Sequence, residues 1–276
     1  MLSAATTSST HITSRQNPIV ARYRAVAQGE VDGLLLLDGV HLVNDAIAAG
    51  VAIEHAAVDV NASGRDELVR VLESLRARGV DTVTATAPVM GALSPVRSSS
   101  AIVAIARQPS RTVAELFVGP APLVVVACDV QDPGNIGAIV RVAEAGGASG
   151  VIATGITADP FGWKALRGSM GSALRLPVHR VPDIATVVAD ARQHRCRIVA
   201  TVPRGGASLF EVDLRQPTAV LIGGEGPGLP AALVDTADAR VTIPMQPPVV
   251  SLNAAVTAAL VVYEARRQRA TARGKT

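Results

Sequence analysis

Residues 218–229 read Thr-Ala-Val-Leu-Ile-Gly-Gly-Glu-Gly-Pro-Gly-Leu, an apolar run that passes directly into a glycine-rich turn. Continuously apolar runs are typical of strands buried on both faces of a parallel sheet. Residues 123–127 form a second such run, and shorter β-branched or Leu-rich runs alternate with helical patterns on both sides of it. This alternation predicts an α/β fold with parallel strands.

The alternation is interrupted by a segment rich in Pro and Gly at residues 108–122. We therefore predict a first domain over 17–107, a linker over 108–122 and a second domain over 123–276. Residues 1–16 are polar, rich in Ser and Thr, and lack the apolar stretch of a secretory signal peptide, so we predict a flexible N-terminal arm there. Within the first domain, residues 66–78 have apolar positions at helical spacing and end before Gly79, which predicts a helix.

The composition favours a folded, reduced protein. Of the 276 residues, 49% are hydrophobic and 18% charged, which excludes disorder as the dominant state. Aromatic residues are only 2%, which counts against a sheet that stacks RNA bases on rings. Cys128 and Cys196 form neither a disulfide framework nor a metal-ligand pattern, and no apolar run is long enough to span a membrane. We therefore expect a cytoplasmic protein without a metal.

The net charge of +3 comes almost entirely from Arg rather than Lys. Arg makes forked contacts to phosphate, so the charge suits a polyanionic partner. A plain compositional preference for Arg over Lys explains it equally well, and charge alone leaves both readings open.

A candidate anion site follows the apolar run 123–127. Pro133-Gly134 predicts a turn and Asn135 a helix N-cap, while Gly137 lies one turn before Arg141 on the same helix face. Arg141 would then lie over bare backbone near the positive end of the helix dipole, which suits a phosphate. The alternative is an ordinary capped helix with a surface Arg and a glycine used for close packing.

Two further segments have the composition of a binding site. In the turn 223–228, Glu225 is the only side chain with hydrogen-bonding power, and no dinucleotide-binding glycine register fits. In the segment 243–253, a Pro-stiffened loop leads to Ser251 or Asn253 as the cap of a long helix from about 252 to 270. The alternatives are a plain glycine-rich turn and an ordinary terminal core helix. The Ala- and Val-rich flank of that helix also suits a subunit interface.

Taken together and in this order, the three segments resemble the motifs of the SpoU/TrmH family of RNA ribose 2′-O-methyltransferases, within the SPOUT class. The matching residues are Asn135, Gly137 and Arg141, then 223–229, then Ile243-Pro244-Met245 with Ser251-Leu252-Asn253. Weaker similarities extend the resemblance over most of the chain, at 12–18, 37–40, Asp159-Pro160 and Arg167-x-Ser169-x-Gly171.

The resemblance implies a fold and a set of site residues. The second domain would be a SPOUT α/β domain with a deep trefoil knot, preceded by a smaller, ribosomal-protein-like α/β/α domain that engages RNA. The implied partners are S-adenosylmethionine and a second copy of the chain. The catalytic positions would be Asn135, Arg141, Glu225, Ser251 and Asn253, and the cofactor positions Gly223, Gly224, Gly228, Ile243, Met245 and Leu252. The candidate RNA contacts are Arg15, Arg22, Arg24, Arg65, Arg97 and Arg167.

The sequence departs from the family in two places and leaves alternatives open. Gln246-Pro247-Pro248 replaces a small, flexible segment, and Asn253-Ala254-Ala255 lacks a Ser that often follows the Asn. By resemblance, 23S rRNA is favoured as substrate over tRNA. A non-enzymatic RNA-binding protein that keeps the fold, and a nucleotide-dependent enzyme with a doubly wound sheet, remain the alternative functions.

Overall fold

The computed structural model describes residues 10–62, 64–96 and 100–273, with side chains as far as Thr271. The chain forms two compact units that divide between Pro109 and Ser110. No described helix is long and apolar enough to cross a membrane.

The described part of the first unit is a mixed five-stranded sheet with four helices. In chain order its elements are β1 (His11–Ile12), α1 (Pro18–Gln28), β2 (Leu34–Asp38), α2 (Val40–Ala48), β3 (Ile53–Asp59), α3 (Asp66–Ala77), β4 (Asp81–Ala85), α4 (Ala87–Leu93) and β5 (Ile102–Arg107). The strand order is β1-β4-β3-β5-β2, and β5 is antiparallel to both of its neighbours. The helix predicted from residue 66 is confirmed, because Leu68, Val71 and Leu75 form its buried side.

The predicted flexible arm is wrong for part of its length. His11 and Ile12 pair in parallel with Thr84 and Ala85 of β4, and the Ile12 side chain is buried in the core. Arg15 then donates from Nε to the Pro88 carbonyl at 2.9 Å. Two residues carry no strand signal of their own, so pairing with a distant strand decides their conformation. Residues 1–9 of the predicted arm lie outside the described residues.

A buried polar pair lies in the core of the first unit. The Tyr23 hydroxyl is 2.8 Å from Nδ1 of His55, and both side chains are almost completely buried. His55 Nε2 faces the exposed Asp81 carboxylate at 3.8 Å. Burial lowers the pKa of His55, which the carboxylate of Asp81 opposes and the positive charge of Arg22 reinforces. The folded unit therefore favours neutral His55.

Acid is expected to destabilise the first unit through His55. Its pKa is lower in the folded than in the unfolded chain, so the unfolded chain binds the extra proton and stability is lost as pH falls below about 6.5. The free energy of unfolding should fall by up to about 1.4 kcal/mol per pH unit below that point. Denaturant unfolding at several pH values should show that the free energy of unfolding depends less steeply on pH in His55→Gln than in wild type. His41→Gln, at an exposed site, should keep the wild-type slope.

The second unit is a seven-stranded parallel sheet with helices. It begins with a short 3-10 helix, Val113–Phe117, and continues with β6 (Leu123–Cys128), α5 (Pro133–Gly146), β7 (Gly150–Thr154), α6 (Trp163–Ser169), α7 (Ser172–Arg175), β8 (Val178–Arg180), α8 (Ile184–Gln193), β9 (Arg197–Thr201), β10 (Ala207–Ser208), β11 (Thr218–Gly223), α9 (Ala231–Thr236), β12 (Ala239–Thr242) and α10 (Ala254–Arg273). The strand order is β10-β12-β9-β11-β6-β7-β8, with every pair parallel.

The predicted linker over 108–122 needs correction. Thr112 and Glu115 form a reciprocal capping box at the start of the short 3-10 helix. Leu116 and Phe117 are buried in the core beneath β6 and β11. This segment therefore belongs to the second unit, because its apolar side chains are needed to complete that core.

The sheet order brings the three sequence motifs to one edge. They follow the carboxyl ends of β6, β11 and β12, and the carboxyl ends of parallel strands lie on the same side of a sheet. β6 and β11 are direct neighbours, with Cys128 opposite Gly223. The sheet therefore places the first two motifs side by side.

Candidate active site

Asp132, and not Asn135, caps the first motif helix. Its Oδ1 accepts the Asn135 backbone N–H at 2.8 Å, and Pro133 occupies the first helical position. The prediction of Asn135 as the cap is wrong, because a proline that starts a helix makes the preceding residue the cap. Asn135 therefore lies in the first turn of α5 with its side chain free for other contacts.

The Asn135 side chain links all three motifs. Asn253 Nδ2 donates to Asn135 Oδ1 at 2.9 Å, and Asn135 Nδ2 donates to Glu225 Oε1. In sequence, Asn135 is 90 positions from Glu225 and 118 positions from Asn253. The bonds hold the Asn135 amide in one orientation, and the Glu225 carboxylate is otherwise exposed.

Asn253 has a second task at the start of α10. Its Oδ1 accepts the backbone N–H groups of Ala255 at 2.9 Å and Val256 at 3.3 Å, so Asn253 is the helix cap. Ser251 was the other candidate, but it lies three residues before the helix and is exposed on the wall of a cavity.

Substitutions of Asn253 should separate these two tasks. Asn253→Ser is expected to keep the cap but remove the amide that donates to Asn135, so the activity of this site should fall with little change in melting temperature. Asn253→Ala should lose the same activity and also about 1 kcal/mol of stability. Thermal unfolding and activity measurements on both variants check this. Equal stability in the two variants would contradict the capping role.

The glycine turn after β11 is constrained by close backbone contacts. A Cβ at Gly224 would overlap the carbonyl oxygen of Asp129, and one at Gly223 would lie 2.7 Å from the Gly228 carbonyl carbon. Gly226 and Gly228 have φ values of 97° and 69°, which favour glycine. This turn therefore packs directly on the loop after β6.

A cavity of about 420 Å³ lies beside this turn. All six predicted cofactor positions line it, together with the predicted catalytic residues Glu225, Ser251 and Asn253. Asn135 reaches its wall through the two hydrogen bonds described above. Among the described residues, no group of three or more His, Cys, Asp or Glu side chains is placed to hold a metal ion.

Sequence reasoning missed one wall of the cavity. This wall is formed by Thr201 at the end of β9 and by Val202 and Pro203 directly after it. Val234, Val241 and Thr257 also line the cavity. β9 carries no motif, and its place beside β11 depends on a long-range strand order that local patterns do not reveal. The only available signal was the rule that ligands bind at carboxyl strand ends.

Arg141 lies on α5 with its side chain exposed to solvent. It has no hydrogen-bond or ion-pair partner within the part of the chain that the structure describes. The bare backbone patch expected at Gly137 does not exist, because Ala165 and Gly168 of α6 occupy that space. Gly137 serves close helix packing, which was the alternative interpretation, while Arg141 remains free to bind an anion.

The predicted RNA contacts differ in their availability. Arg15 and Arg24 each donate to a backbone carbonyl, and Arg22 pairs with Glu54 at 2.7 Å. The side chains of Arg65 in the first unit and Arg167 on α6 are exposed and have no hydrogen-bond or ion-pair partner among the described residues. Arg97 lies outside the described residues.

Comparisons with known proteins identify a family and relatives that this chain resembles. The sequence model of the SpoU rRNA Methylase family matches residues 122–263. An uncharacterized tRNA/rRNA methyltransferase of Synechocystis is 33% identical over 94% of both chains. The 23S rRNA (guanosine(2553)-2′-O)-methyltransferase RlmP of Bacillus subtilis is 29% identical over 84% of this chain and 88% of its own.

A solved structure also matches both units. The AdoMet-bound rRNA methyltransferase from Sinorhizobium meliloti superimposes with a TM-score of 0.84 at 29% identity. The match covers 94% of this chain and 97% of that protein.

Proposed function

The chain belongs to the SpoU rRNA methylase family, and from this membership we propose that it transfers a methyl group from S-adenosylmethionine to a ribose 2′-hydroxyl of 23S rRNA. The observation that carries the proposal is the hydrogen-bonded chain Asn253–Asn135–Glu225 beside the cavity. RlmP is named for a 2′-O-methylation of 23S rRNA, and the Sinorhizobium meliloti protein is an AdoMet-bound rRNA methyltransferase.

The cavity suits S-adenosylmethionine in size and chemistry. Its volume of about 420 Å³ falls in the range of small-molecule sites. Its walls are glycine backbone, apolar side chains such as Leu229, Ile243 and Leu252, and a few hydroxyl and amide groups. The glycine backbone offers N–H and C=O groups without side-chain obstruction, so we assign Gly223, Gly224, Gly228, Ile243, Met245 and Leu252 to the cofactor.

The bound cofactor supplies an electrophilic methyl group on its sulfonium. The protein's task is to hold the 2′-hydroxyl in line with that methyl group and to stabilise the negative charge that develops on its oxygen. Arg141 provides a cation for the ribose oxygen or its phosphate. A guanidinium has no acceptor for a proton, so its positive charge lowers the pKa of the hydroxyl and the hydroxyl proton passes to solvent water as the methyl group is transferred.

Asn135 and Glu225 have supporting roles in this proposal. Glu225 accepts from the Asn135 amide and thereby fixes which way that amide faces. Asn135 then binds the ribose or phosphate next to the reacting hydroxyl. Ser251 lies on the cavity wall, where its hydroxyl is available to the same substrate.

The test is transfer of a labelled methyl group to separated 23S rRNA and tRNA, followed by digestion to nucleosides. Label in a 2′-O-methyl nucleoside from 23S rRNA is the expected result, and label from tRNA would correct the substrate. No label in any RNA, including assembling ribosomal particles, together with no S-adenosylhomocysteine binding would replace the enzyme with a non-enzymatic RNA-binding protein.

A homodimer is the proposed working form. The apolar residues Val256, Leu260 and Tyr263 of α10 are 46%, 40% and 50% exposed, and they recur at helical spacing along one side. An uncovered apolar stripe of this kind suits contact with a second copy of the chain.

A charge placed in this stripe should produce monomers. Leu260→Glu is expected to raise the dimer dissociation constant at least tenfold, because it buries an unpaired carboxylate in an apolar contact. Light scattering over a dilution series measures the change, with Thr271→Glu on the same helix as control. A dilution series that is identical for Leu260→Glu and wild type would show that this face of α10 is not the dimer interface.

Three further features are part of the proposal. The second unit would contain the family's trefoil knot, as membership of the family implies. The first unit, which lies outside the residues that the family model matches, would be the RNA-engaging, ribosomal-protein-like domain. Because the proposed substrate is 23S rRNA, we propose that the protein acts in the cytoplasm.

A further inference from the structure

The helix α6 lies directly against the first turn of α5. Ala165 and Gly168 fill the space beside Gly137, and the Gly134 carbonyl oxygen lies 3.4 Å from where a Cβ at Gly168 would be. The outer surface of α6 therefore borders the turn that carries Asn135. Any RNA whose ribose reaches Asn135 passes close to this helix.

The start of α6 presents an aromatic ring together with cations. Trp163 is the only Trp of the chain and is partly exposed. The Lys164 ammonium lies 5.4 Å from the centre of its ring. One turn on, the Arg167 side chain is exposed on the same short helix.

These cations are unpaired, whereas most cations of the second unit are not. Lys164, Arg167 and the neighbouring Arg141 have no hydrogen-bond or ion-pair partner among the described residues. By contrast, six Arg side chains in the described part of this unit pair with carboxylates: Arg111, Arg175, Arg192, Arg215, Arg240 and Arg267.

The nearby acids do not neutralise this surface through ion pairs. The carboxylate of Asp132 accepts the backbone N–H of Asn135, and that of Asp159 accepts the backbone N–H of Phe161. The positive charge next to the reaction site is therefore available to a ligand.

We propose that Trp163, Lys164 and Arg167 form an RNA-binding surface on the catalytic unit, where the indole stacks on a base flanking the target nucleotide and the two cations bind the adjacent phosphates. This inference rests on the proposed function and names the part of the substrate that the second unit holds. Unstacked bases of single-stranded RNA bind aromatic rings, and Arg and Lys bind the phosphates between them.

The sole Trp makes the proposal directly measurable. Indole emission, excited at wavelengths where Tyr does not absorb, reports on Trp163 alone in the full-length protein. Titration with a short, mixed-sequence single-stranded RNA should change this emission saturably. No emission change at RNA concentrations that saturate binding measured by another method would overturn the stacking.

Substitutions test the ring and the charges separately. Trp163→Leu should weaken RNA binding about tenfold, whereas Trp163→Phe should stay within about threefold of wild type, because base stacking on a ring is worth ~1–3 kcal/mol. The double variant Lys164→Gln, Arg167→Gln should flatten the slope of log affinity against log salt by about 1.4, since each phosphate contact contributes about 0.7. Equal RNA affinity of Trp163→Leu and Trp163→Phe would overturn the stacking. An unchanged salt slope in the double variant would overturn the phosphate contacts.

Matched controls separate this surface from general effects. Phe210 is an exposed aromatic residue elsewhere in the second unit, and Phe210→Leu should leave RNA affinity unchanged. Arg240 pairs with Asp235, and Arg240→Gln should leave the salt slope unchanged. S-adenosylhomocysteine affinity and melting temperature should match wild type in every variant.

Two outcomes distinguish this inference from the proposed function. RNA binding that changes the Trp163 emission, with no methyl transfer by wild type, would support the surface and reject the function. Normal transfer with an unchanged KM for RNA in Trp163→Leu would keep the function and reject the surface. An emission change with protein concentration alone would assign Trp163 to a contact between subunits and overturn the proposal.

Discussion

Arg141→Ala is expected to lose most methyl transfer, by about 10²–10³-fold in kcat, while S-adenosylhomocysteine binds with wild-type affinity. The side chain is exposed and unpartnered among the described residues, so its loss removes no contact that holds the fold. It is also absent from the lining of the cavity, so the cofactor keeps its contacts. What is lost is the cation beside the oxygen on which charge develops. Labelled methyl incorporation and calorimetry with S-adenosylhomocysteine measure the two quantities.

Two control variants sharpen this expectation. Arg141→Lys keeps the charge but not the forked donors, so it should recover only part of the activity. Arg180→Ala removes another exposed cation of the same unit and should retain most activity. Full transfer by Arg141→Ala would reject the assignment of Arg141 to the reaction.

Gly224→Ala is expected to abolish cofactor binding and to lower the melting temperature. The new methyl group would overlap the carbonyl of Asp129, which is backbone and cannot rotate away. Asp129 is itself held in place: it has a φ of 57°, and its carboxylate accepts the Ile156 backbone N–H at 2.9 Å. The turn 223–228 must therefore move, and it forms part of the cavity wall. Overpacking of this kind costs about 1–3 kcal/mol or more.

Gly205→Ala is the matched control for this substitution. Gly205 belongs to the same unit and has a φ of 77°, but a Cβ there would meet nothing within 4 Å. It should cost about 1 kcal/mol of stability for the left-handed conformation and leave cofactor binding intact. Wild-type S-adenosylhomocysteine affinity in Gly224→Ala would show that the turn is not part of the cofactor site.

The sequence predicted the larger elements because their signals are local. The apolar runs at 123–127 and 218–222 became β6 and β11, and residues 66–78 became α3. β1 and the 3-10 helix Val113–Phe117 were missed because long-range contacts determine them. The cap of α5 could have been predicted correctly, since Pro133 already pointed to Asp132.

Part of the candidate site could also be predicted from the sequence, because its motifs are local. Motifs at the ends of apolar runs predicted which loops meet, and the structure brings Asn135, Glu225 and Asn253 into direct contact. The packing of α6 on Gly137 could not be predicted, because it depends on how two helices cross. That crossing determines where Arg141 and Trp163 lie.

The contact between Gly137 and Gly168 has a consequence for how such an enzyme can change its target. The spacing of α5 and α6 is set by backbone against backbone, so substitutions on the outer side of α6 leave the transfer geometry alone. Positions such as Trp163 and Lys164 are therefore free to diversify, whereas a side chain at Gly137 would overlap the Ala165 carbonyl and would move the whole helix. Redesign towards a new RNA sequence should randomise the outer face of α6 and keep Gly137.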